Sequence, residues 1–408
     1  MPVSTSPNYT IITADTHAGG SHEQYREFLD PEWRDEFDAW REKYKNPWKD
    51  LRNTDLRIRN WDDDRRDADQ LAEGVVGEVL FPNTVPPFWP AFVLFAGPPK
   101  PEQYEKRRAG IKAHNRWLED FCGRRPERRA GIGQIFLNDI DDAIADATWI
   151  KEHGLRGGVL LPTIPPDVKW VRPLYDPEYD RLWAALQDLD IPVHLHGGTG
   201  SPDYGMHPAT PMIMIAEIPF YGNRNLVHML LAGVFERFPR LKFVITESGL
   251  SQFGPMLKHL DGILVSVRKG SIGELKYAEG TALPKSATEY FHQNVWVGAS
   301  FPTKADLAAR TLIQEDRLMW GSDYPHDEGT APFTREHLRQ VMIDLSEADK
   351  RAILGGNAAK LYGFDLEALA PLAAQYGPTV EELDTPLTEL PEKANSALRR
   401  GAGEAVMV

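Results

Sequence analysis

The chain is expected to fold as an α/β protein, a (β/α)8 TIM-type barrel. Three observations lead there. Eight short apolar runs rich in β-branched residues recur along 408 residues. Helical patterns fall between several of them, the alternation of a parallel sheet. Four of the runs end in a carboxylate or imidazole, which is how such a barrel builds a site at its carboxyl-terminal face.

The runs lie near 9–15, 74–81, 128–136, 156–161, 191–196, 241–247, 292–299 and 317–322. Asp139 to His153 carries Ile140, Ala143, Ile144, Ala147 and Ile150 on one face, with Gly154 as a stop. Asp176 to Leu189 opens on Asp-Pro, a helix start. Further helices are expected over Asn225–Phe235, Thr334–Leu345 and Glu347–Leu354. Residues 18–73 are charged and hold Trp33, Trp40, Trp48 and Trp61; they read as a long helical insertion after the first strand, folded over the barrel mouth. Residues 84–103 form a second excursion, whose Pro86-Pro87-Phe88-Trp89-Pro90, Phe92 and Phe95 suit either a pocket wall or a buried anchor. Segments 203–224 and 266–290 read as further loops on the catalytic face. The expected organisation is one barrel over 1–375 and a C-terminal extension over 376–408, an arm on the surface or across a second copy.

Composition narrows the class. Hydrophobic residues make up 42% and charged residues 26%, enough for a large core. Net charge is −14, which argues against nucleic acid as a partner, because phosphate binding needs a basic surface. Cys122 is the only cysteine, so neither an intrachain disulfide nor a thiolate metal site is available. No secretory signal is visible, and no stretch nears the ~20 apolar residues of a membrane span. The expectation is a soluble, cytoplasmic protein that acts on a small molecule, with a homodimer possible. No Gly-rich phosphate loop or dinucleotide fingerprint points to a nucleotide cofactor.

Asp15 and His17 are two apart, and positions i and i+2 of a strand project to one side, so both can reach one ion. The bland alternative is a polar turn capped by Asp15. His194 and His196 also share a side; His196, followed by Gly197-Gly198, is the expected ligand, and His194 the deeper, supporting residue. Asp323 follows the eighth run and can bind metal and move a proton, although an Asx-turn before Tyr324-Pro325 also fits. His326, three residues on, is a candidate for substrate contact or for supporting the metal. Glu247 closes the sixth run as a metal ligand or general base, or as a salt-bridged strand end. His228 reads as a packed helix residue. His22, Glu23 and Tyr25 are weaker pocket candidates.

Taken together, D-x-H after the first run, H-x-H at the fifth, ESG after the sixth and WGSDYPH at the eighth resemble the amidohydrolase superfamily. The branch is the amidohydrolase-related family that includes aminocarboxymuconate-semialdehyde decarboxylase. GVFERFPRLKFVITESG and GGNAAKLYGF are phrases of the same branch, and the similarity spans about residues 8–365. The resemblance implies a distorted (β/α)8 barrel with a divalent metal at its mouth. It matches Asp15 and His17 to the first ligand pair, His196 to the fifth-strand ligand and Asp323 to the eighth. Two departures stand out. Decarboxylases of the branch commonly begin H-x-H or E-x-H, where this chain has Asp15. They also carry a histidine after the sixth strand, where this chain has Glu247. The run RGGVLLPT ends in no lysine, which argues against a carbamylated-lysine bridge.

Such a carboxylate-rich set favours Zn, Mn or Fe, as one ion, or as two if Glu247 bridges. The first expectation is a metal-dependent hydrolase, with Asp323, Glu247 and His326 as its catalytic groups and water activated by the metal. Metal-dependent non-oxidative decarboxylation is the alternative, and an iron-dependent oxygenase a third reading.

Overall fold

The computed structural model describes residues 6–45, 54–90, 97–198, 200–278 and 280–404. Ten strands are present among the described residues. They are β1 (Ile11–Ala18), β2 (Val75–Pro82), β3 (Arg129–Gln134), β4 (Gly158–Leu160), β5 (Val193–His196), β6 (Phe243–Thr246), β7 (Ser271–Ile272), β8 (Leu275–Lys276), β9 (Val295–Ser300) and β10 (Leu318–Gly321). Eight form one parallel sheet in the order β1-β2-β3-β4-β5-β6-β9-β10. The last returns to the first: Asp323 N donates to Asp15 O (2.9 Å), and His17 N to Tyr324 O (2.7 Å). The expected (β/α)8 barrel is therefore the observed fold, and it closes at the strand ends that carry the candidate ligands. β7 and β8 pair antiparallel as a hairpin apart from it.

Side chains sort by strand parity. Val193, Leu195, Phe243, Ile245, Val297 and Trp320 pack outward with the helices in one core cluster. The alternating Ile12, Ala14, Phe81, Ile132, Val244 and Met319 form the second, inner cluster. Along β1 this alternation would turn Asp15 and His17 outward. A bulge prevents it: Thr13 pairs with Glu78 but Thr16 with Leu80, so β1 holds one extra residue. The extra residue reverses the facing and brings Asp15 and His17 inside.

Helix Ile140–Glu152 starts where expected, with the Asp139 side chain accepting from Asp142 N. Two expected loops are corrected. Helix Thr210–Leu231 occupies most of 203–224 and extends the helix anticipated from Asn225. Its first turns are apolar on all sides and contain Pro219, so no amphipathic period announces them. Within 266–290, the end of helix Phe253–Arg268, the β7–β8 hairpin and the start of helix Ala287–Asn294 replace an open loop.

The segment after β1 forms helices His22–Phe28, Arg34–Lys43, Thr54–Arg57 and Asp63–Ala72. Phe88 is buried against Trp33, Phe37 and Trp40, and Trp89 stacks on Phe136. These two aromatics of the second excursion are anchors. Trp48, Phe92 and Phe95 lie outside the described residues. From Tyr376 to Glu404 the chain follows its own barrel. Tyr9 N donates to Pro378 O, Lys350 Nζ pairs with Asp384, and Leu383 and Leu398 are buried.

Candidate metal centre

Five side chains from four strand ends meet at the barrel mouth. His17 Nε2 lies 3.3 Å from Asp15 Oδ1 and 3.0 Å from Asp323 Oδ1. His196 Nε2 lies 3.3 Å from Asp15 Oδ1, and its Nδ1 is 3.4 Å from Glu247 Oε2. Asp15, His17 and His196 each offer a ligand atom within 4.8 Å of the others, as do His17, Asp323 and His326. Each expected metal residue is thus gathered in one place. Glu247 joins through His196, and His326 through Asp323, 2.9 Å from its Nδ1.

The backbone is shaped for this. Asp323 and Glu247 take positive φ values of 61° and 56°, a conformation unfavourable for residues with a Cβ. At Gly321 a Cβ would stand 2.6 Å from Asp15 Cβ, so only glycine leaves room for that carboxylate.

The donor set fits a divalent cation. His17 Nδ1 faces Pro82 O (3.3 Å) and His196 Nδ1 faces Gly197 O (3.1 Å). A proton on each Nδ1 leaves each Nε2 with its lone pair toward the carboxylates. His17 Nε2 and Asp323 Oδ2 are buried with no hydrogen-bond partner. Buried polar atoms left in this state signal a missing partner, and here the surrounding atoms are the imidazole and carboxylate donors of a hard or borderline metal.

Electrostatics agree. Burial raises the Asp15 carboxyl, but His196 and His17 outweigh it and hold the group well below the carboxylate range. Asp323 is likewise held low by His326 and His17 against its burial. Burial lowers both ligand imidazoles, yet the adjacent carboxylates raise His17 and His196 to about 9. Protons on these rings occupy the electrostatic role a cation would fill. Burial and the Asp323 charge push Glu247 up to about 7.

The remaining histidines sort differently. His194 is fully buried, Nε2 lying 2.9 Å from Gly157 O, and burial pulls it down to about 3. It is the deeper of the two histidines, as the sequence suggests. His228 packs edge-on against Tyr175. The weaker candidates are corrected: His22 sits among Phe37, Trp40 and Tyr44, Glu23 pairs with Arg41, and Tyr25 bonds Thr84 and His114. Their contacts stay within the insertion and its neighbours.

Two further residues of the site carry no ligand signal in the sequence. Ser300, at the end of β9, donates its hydroxyl to Asp15 Oδ2. Asn83, just past β2, accepts from His326 Nε2 (3.0 Å). Both lie at the carboxyl end of an apolar run, the signal that selected Asp15 and Asp323. A serine and an amide are weak metal ligands, so their residue types do not mark them.

Known proteins resemble this chain in sequence and fold. The family model for Amidohydrolase matches residues 46–364. Gamma-resorcylate decarboxylase of Rhizobium radiobacter is 24% identical over 259 residues, 61% of this chain and 74% of that protein. Decarboxylase orsB of Emericella nidulans is 23% identical over 208 residues, 42% of this chain and 55% of the other. Among solved structures, 5-carboxyvanillate decarboxylase LigW from Sphingomonas paucimobilis superposes with a TM-score of 0.62 at 18% identity, covering 88% of this chain and 100% of that one. Dihydroxybenzoic acid decarboxylase from Polaromonas sp. JS666, solved with manganese and 2-nitroresorcinol, gives 0.60 at 20% identity, with 87% and 97% covered. At these identities the superpositions speak for the fold. Among the described residues no helix is long and apolar enough to cross a membrane.

Proposed function

This chain belongs to the amidohydrolase family, and on that premise we propose that it is a metal-dependent, non-oxidative decarboxylase of a hydroxylated aromatic acid. The observation that carries the reading is the setting of Asp323. Its Oδ1 is shared by His17 and His326, its Oδ2 has no protein partner, and the residue is wholly buried inside the ligand cluster. A carboxyl so placed serves the metal and hands over a proton. The relatives named above are decarboxylases by name, which puts carbon–carbon cleavage ahead of the hydrolysis that the motifs alone place first.

Asp15, His17, His196 and Asp323, with Glu247 beside them, would hold a divalent cation such as manganese, which would supply Lewis acidity for the substrate's carboxylate. The chain's own residues do the rest. The proton starts on His326, whose Nδ1 faces Asp323 Oδ1; Asp323 relays it to the ring carbon that bears the carboxylate, forming a C–H bond. The C–C bond then breaks, its electron pair restores the aromatic ring, and carbon dioxide leaves. Asp323 is again a carboxylate, and His326 is left neutral beside it until solvent protonates it. Ser300 fixes Asp15, so the ligand oxygens keep their positions through the cycle.

The test is turnover of 2,6-dihydroxybenzoate and related hydroxybenzoates by manganese-loaded protein in deuterated water. Carbon dioxide release, with one deuterium at the vacated ring carbon, is expected. Inert benzoates, together with hydrolysis of esters, lactones or amides, would overturn the reading.

A further inference from the structure

The C-terminal segment lies beyond residue 364, where the family match ends, yet it reaches two of the loops that build the ligand cluster. It does so from one short helix, Ser396–Gly401. Asn395 is the N-cap of that helix, and Arg400 sits in its last turn.

Arg400 grips the end of β9. Its Nη2 donates to Phe301 O at 2.6 Å, and its guanidinium lies 4.6 Å over the Phe301 ring. Phe301 takes a φ of 35°, a left-handed conformation unfavourable for a residue with a Cβ. Such a backbone persists only where its surroundings over-determine it. Here Arg400 holds the carbonyl and the ring, while Phe301 N donates to Gly321 O (2.9 Å). The residue before it is Ser300, whose hydroxyl donates to Asp15. The grip is costly. Among the described residues no carboxylate pairs with Arg400, and its Nε is buried without a hydrogen-bond partner. Burial pulls the guanidinium below its ordinary value, against the opposing pull of Asp306 and Glu247. A cation kept half-buried and unpaired is a poor way to fasten a tail to a surface.

Asn395 grips the loop after β10. Its Nδ2 reaches Gly329 O (2.9 Å), Thr330 O (3.2 Å) and Ala331 O (3.2 Å), while its Oδ1 accepts from Leu398 N (3.0 Å). These carbonyls belong to the stretch that folds back over Asp323. Gly329 N donates to His326 O (3.1 Å), and Thr330 N to Ser322 O (2.9 Å). A Cβ at Gly329 would stand 2.6 Å from Ser322 O, so the two stretches lie in direct contact. The Asn395 amide therefore backs the turn that presents Asp323 and His326.

We propose that the C-terminal segment braces the metal centre, with Arg400 and Asn395 as positioning residues. Arg400 acts through Phe301 and Ser300 on Asp15; Asn395 acts through Gly329 and Thr330 on Asp323 and His326. The inference rests on the metal centre and not on the choice of reaction.

The experiment is a double-mutant cycle on manganese affinity, measured by calorimetry on the full chain, with Arg400→Met and Ser300→Ala as its arms. Each single variant should weaken binding about tenfold. The double variant should be no weaker than the worse single, because both remove one link. Arg400→Lys keeps the charge and a donor for Phe301 O, and should recover most of the loss. Asn395→Ala should weaken binding too, and its loss should add to that of Ser300→Ala, since it acts on the other loop. A second readout needs no metal. Amide exchange at Phe301 in the metal-free protein should rise about tenfold in Arg400→Met, with the amides of β5 unchanged. Unchanged affinity in Arg400→Met, losses in Arg400→Met and Ser300→Ala that simply add, or exchange that rises evenly through the barrel would each overturn the brace. Wild-type protein that binds no manganese would overturn the metal centre instead, and the exchange at Phe301 would still decide the brace.

Discussion

Two groups of buried charge face each other across the first two strands, and they are built in opposite ways. On the outer side, Glu78 is held by Arg66 (2.9 Å from Nε, 2.8 Å from Nη2), with Arg129 Nε at 3.3 Å and Gln70 Nε2 at 3.2 Å. Opposite charges alternate, and burial is more than offset: Glu78 is lowered and Arg66 raised relative to their ordinary values. On the inner side, Asp15, Asp323 and Glu247 crowd around two imidazoles, and buried donor atoms stay unpaired. The outer group is balanced in charge as it stands, although Arg66 Nη2 and Arg129 Nη2 make no hydrogen bond. The inner group needs a positive charge that the polypeptide does not supply. The difference separates a structural charge network from a binding one, and the two meet at His17, whose carbonyl accepts from Arg66 while its ring joins the cluster.

Asp323→Asn should have the largest effect on the inner group. It keeps the shape and removes a charge and a transferable proton. Turnover should fall on the order of a thousandfold, with circular dichroism and melting of the protein preserved. A rate within a few-fold of wild type would place Asp323 with the structural group. Arg66→Met acts on the other side. It leaves Glu78 buried with only Arg129 and Gln70 nearby, so stability should drop by about 3 kcal/mol, read from the urea midpoint. An unchanged midpoint would show that the outer network does not hold the fold.

The third prediction uses metal and pH together. Manganese should stabilise the protein by about 2.7 kcal/mol at a hundred times its dissociation constant, and a chelator should reverse the gain. Without metal, His17 and His196 carry folded-state values raised to about 9. Their stabilisation is fully present below the unfolded imidazole value of about 6.5 and is lost as pH rises through about 9. The slope is about 1.4 kcal/mol per pH unit for each ring. Bound metal requires both rings neutral, so its affinity should climb over the same window. Glu78, with a lowered value, contributes in the opposite sense, its share lost on acidification. Metal-free His17→Gln should therefore lose less stability than wild type between pH 7 and 9. Identical pH profiles would remove His17 from the cluster's electrostatics.

How far the sequence carries this picture depends on the kind of signal. All eight barrel strands fall on the expected runs, because an apolar β-branched stretch with a strand's length has few other uses. Asp15, His17, His196 and Asp323 were legible because each is a strong ligand type at a strand end. The β1 bulge was not: the sequence spacing of Asp15 and His17 gives one shared side but not which side, and only the register against β2 decides it. Helix Thr210–Leu231 was hidden for another reason. Met212, Ile213, Ile215 and Phe220 are exposed, so the segment lacks the polar face by which a surface helix is recognised. Asn83 and Ser300 were illegible as site residues because their roles are relational, fixed by a partner far away in sequence.

Asn83 offers the mildest test. Its amide is oriented from both ends. Nδ2 donates to Asn60 Oδ1 (2.6 Å), and Oδ1 accepts from His326 Nε2 (3.0 Å). Asn60 Nδ2 in turn donates to Arg57 O (3.0 Å), so the pair cannot flip without losing bonds. The chain of donors holds the ring of His326 with Nδ1 toward Asp323, and the Asp323 charge raises that imidazole against its burial. Asn83→Ala removes the far anchor without touching a ligand. Turnover should fall about tenfold, roughly the 1.4 kcal/mol of one oriented hydrogen bond, while manganese affinity stays within a factor of two or so. Asn83→Gln or Asn83→Ser, able to offer an oxygen, should recover part of the loss. A variant that loses metal as readily as rate would move Asn83 from orienting His326 to holding the cluster together, and the border between the balanced and the unbalanced group would then run through Asn60 rather than through His17.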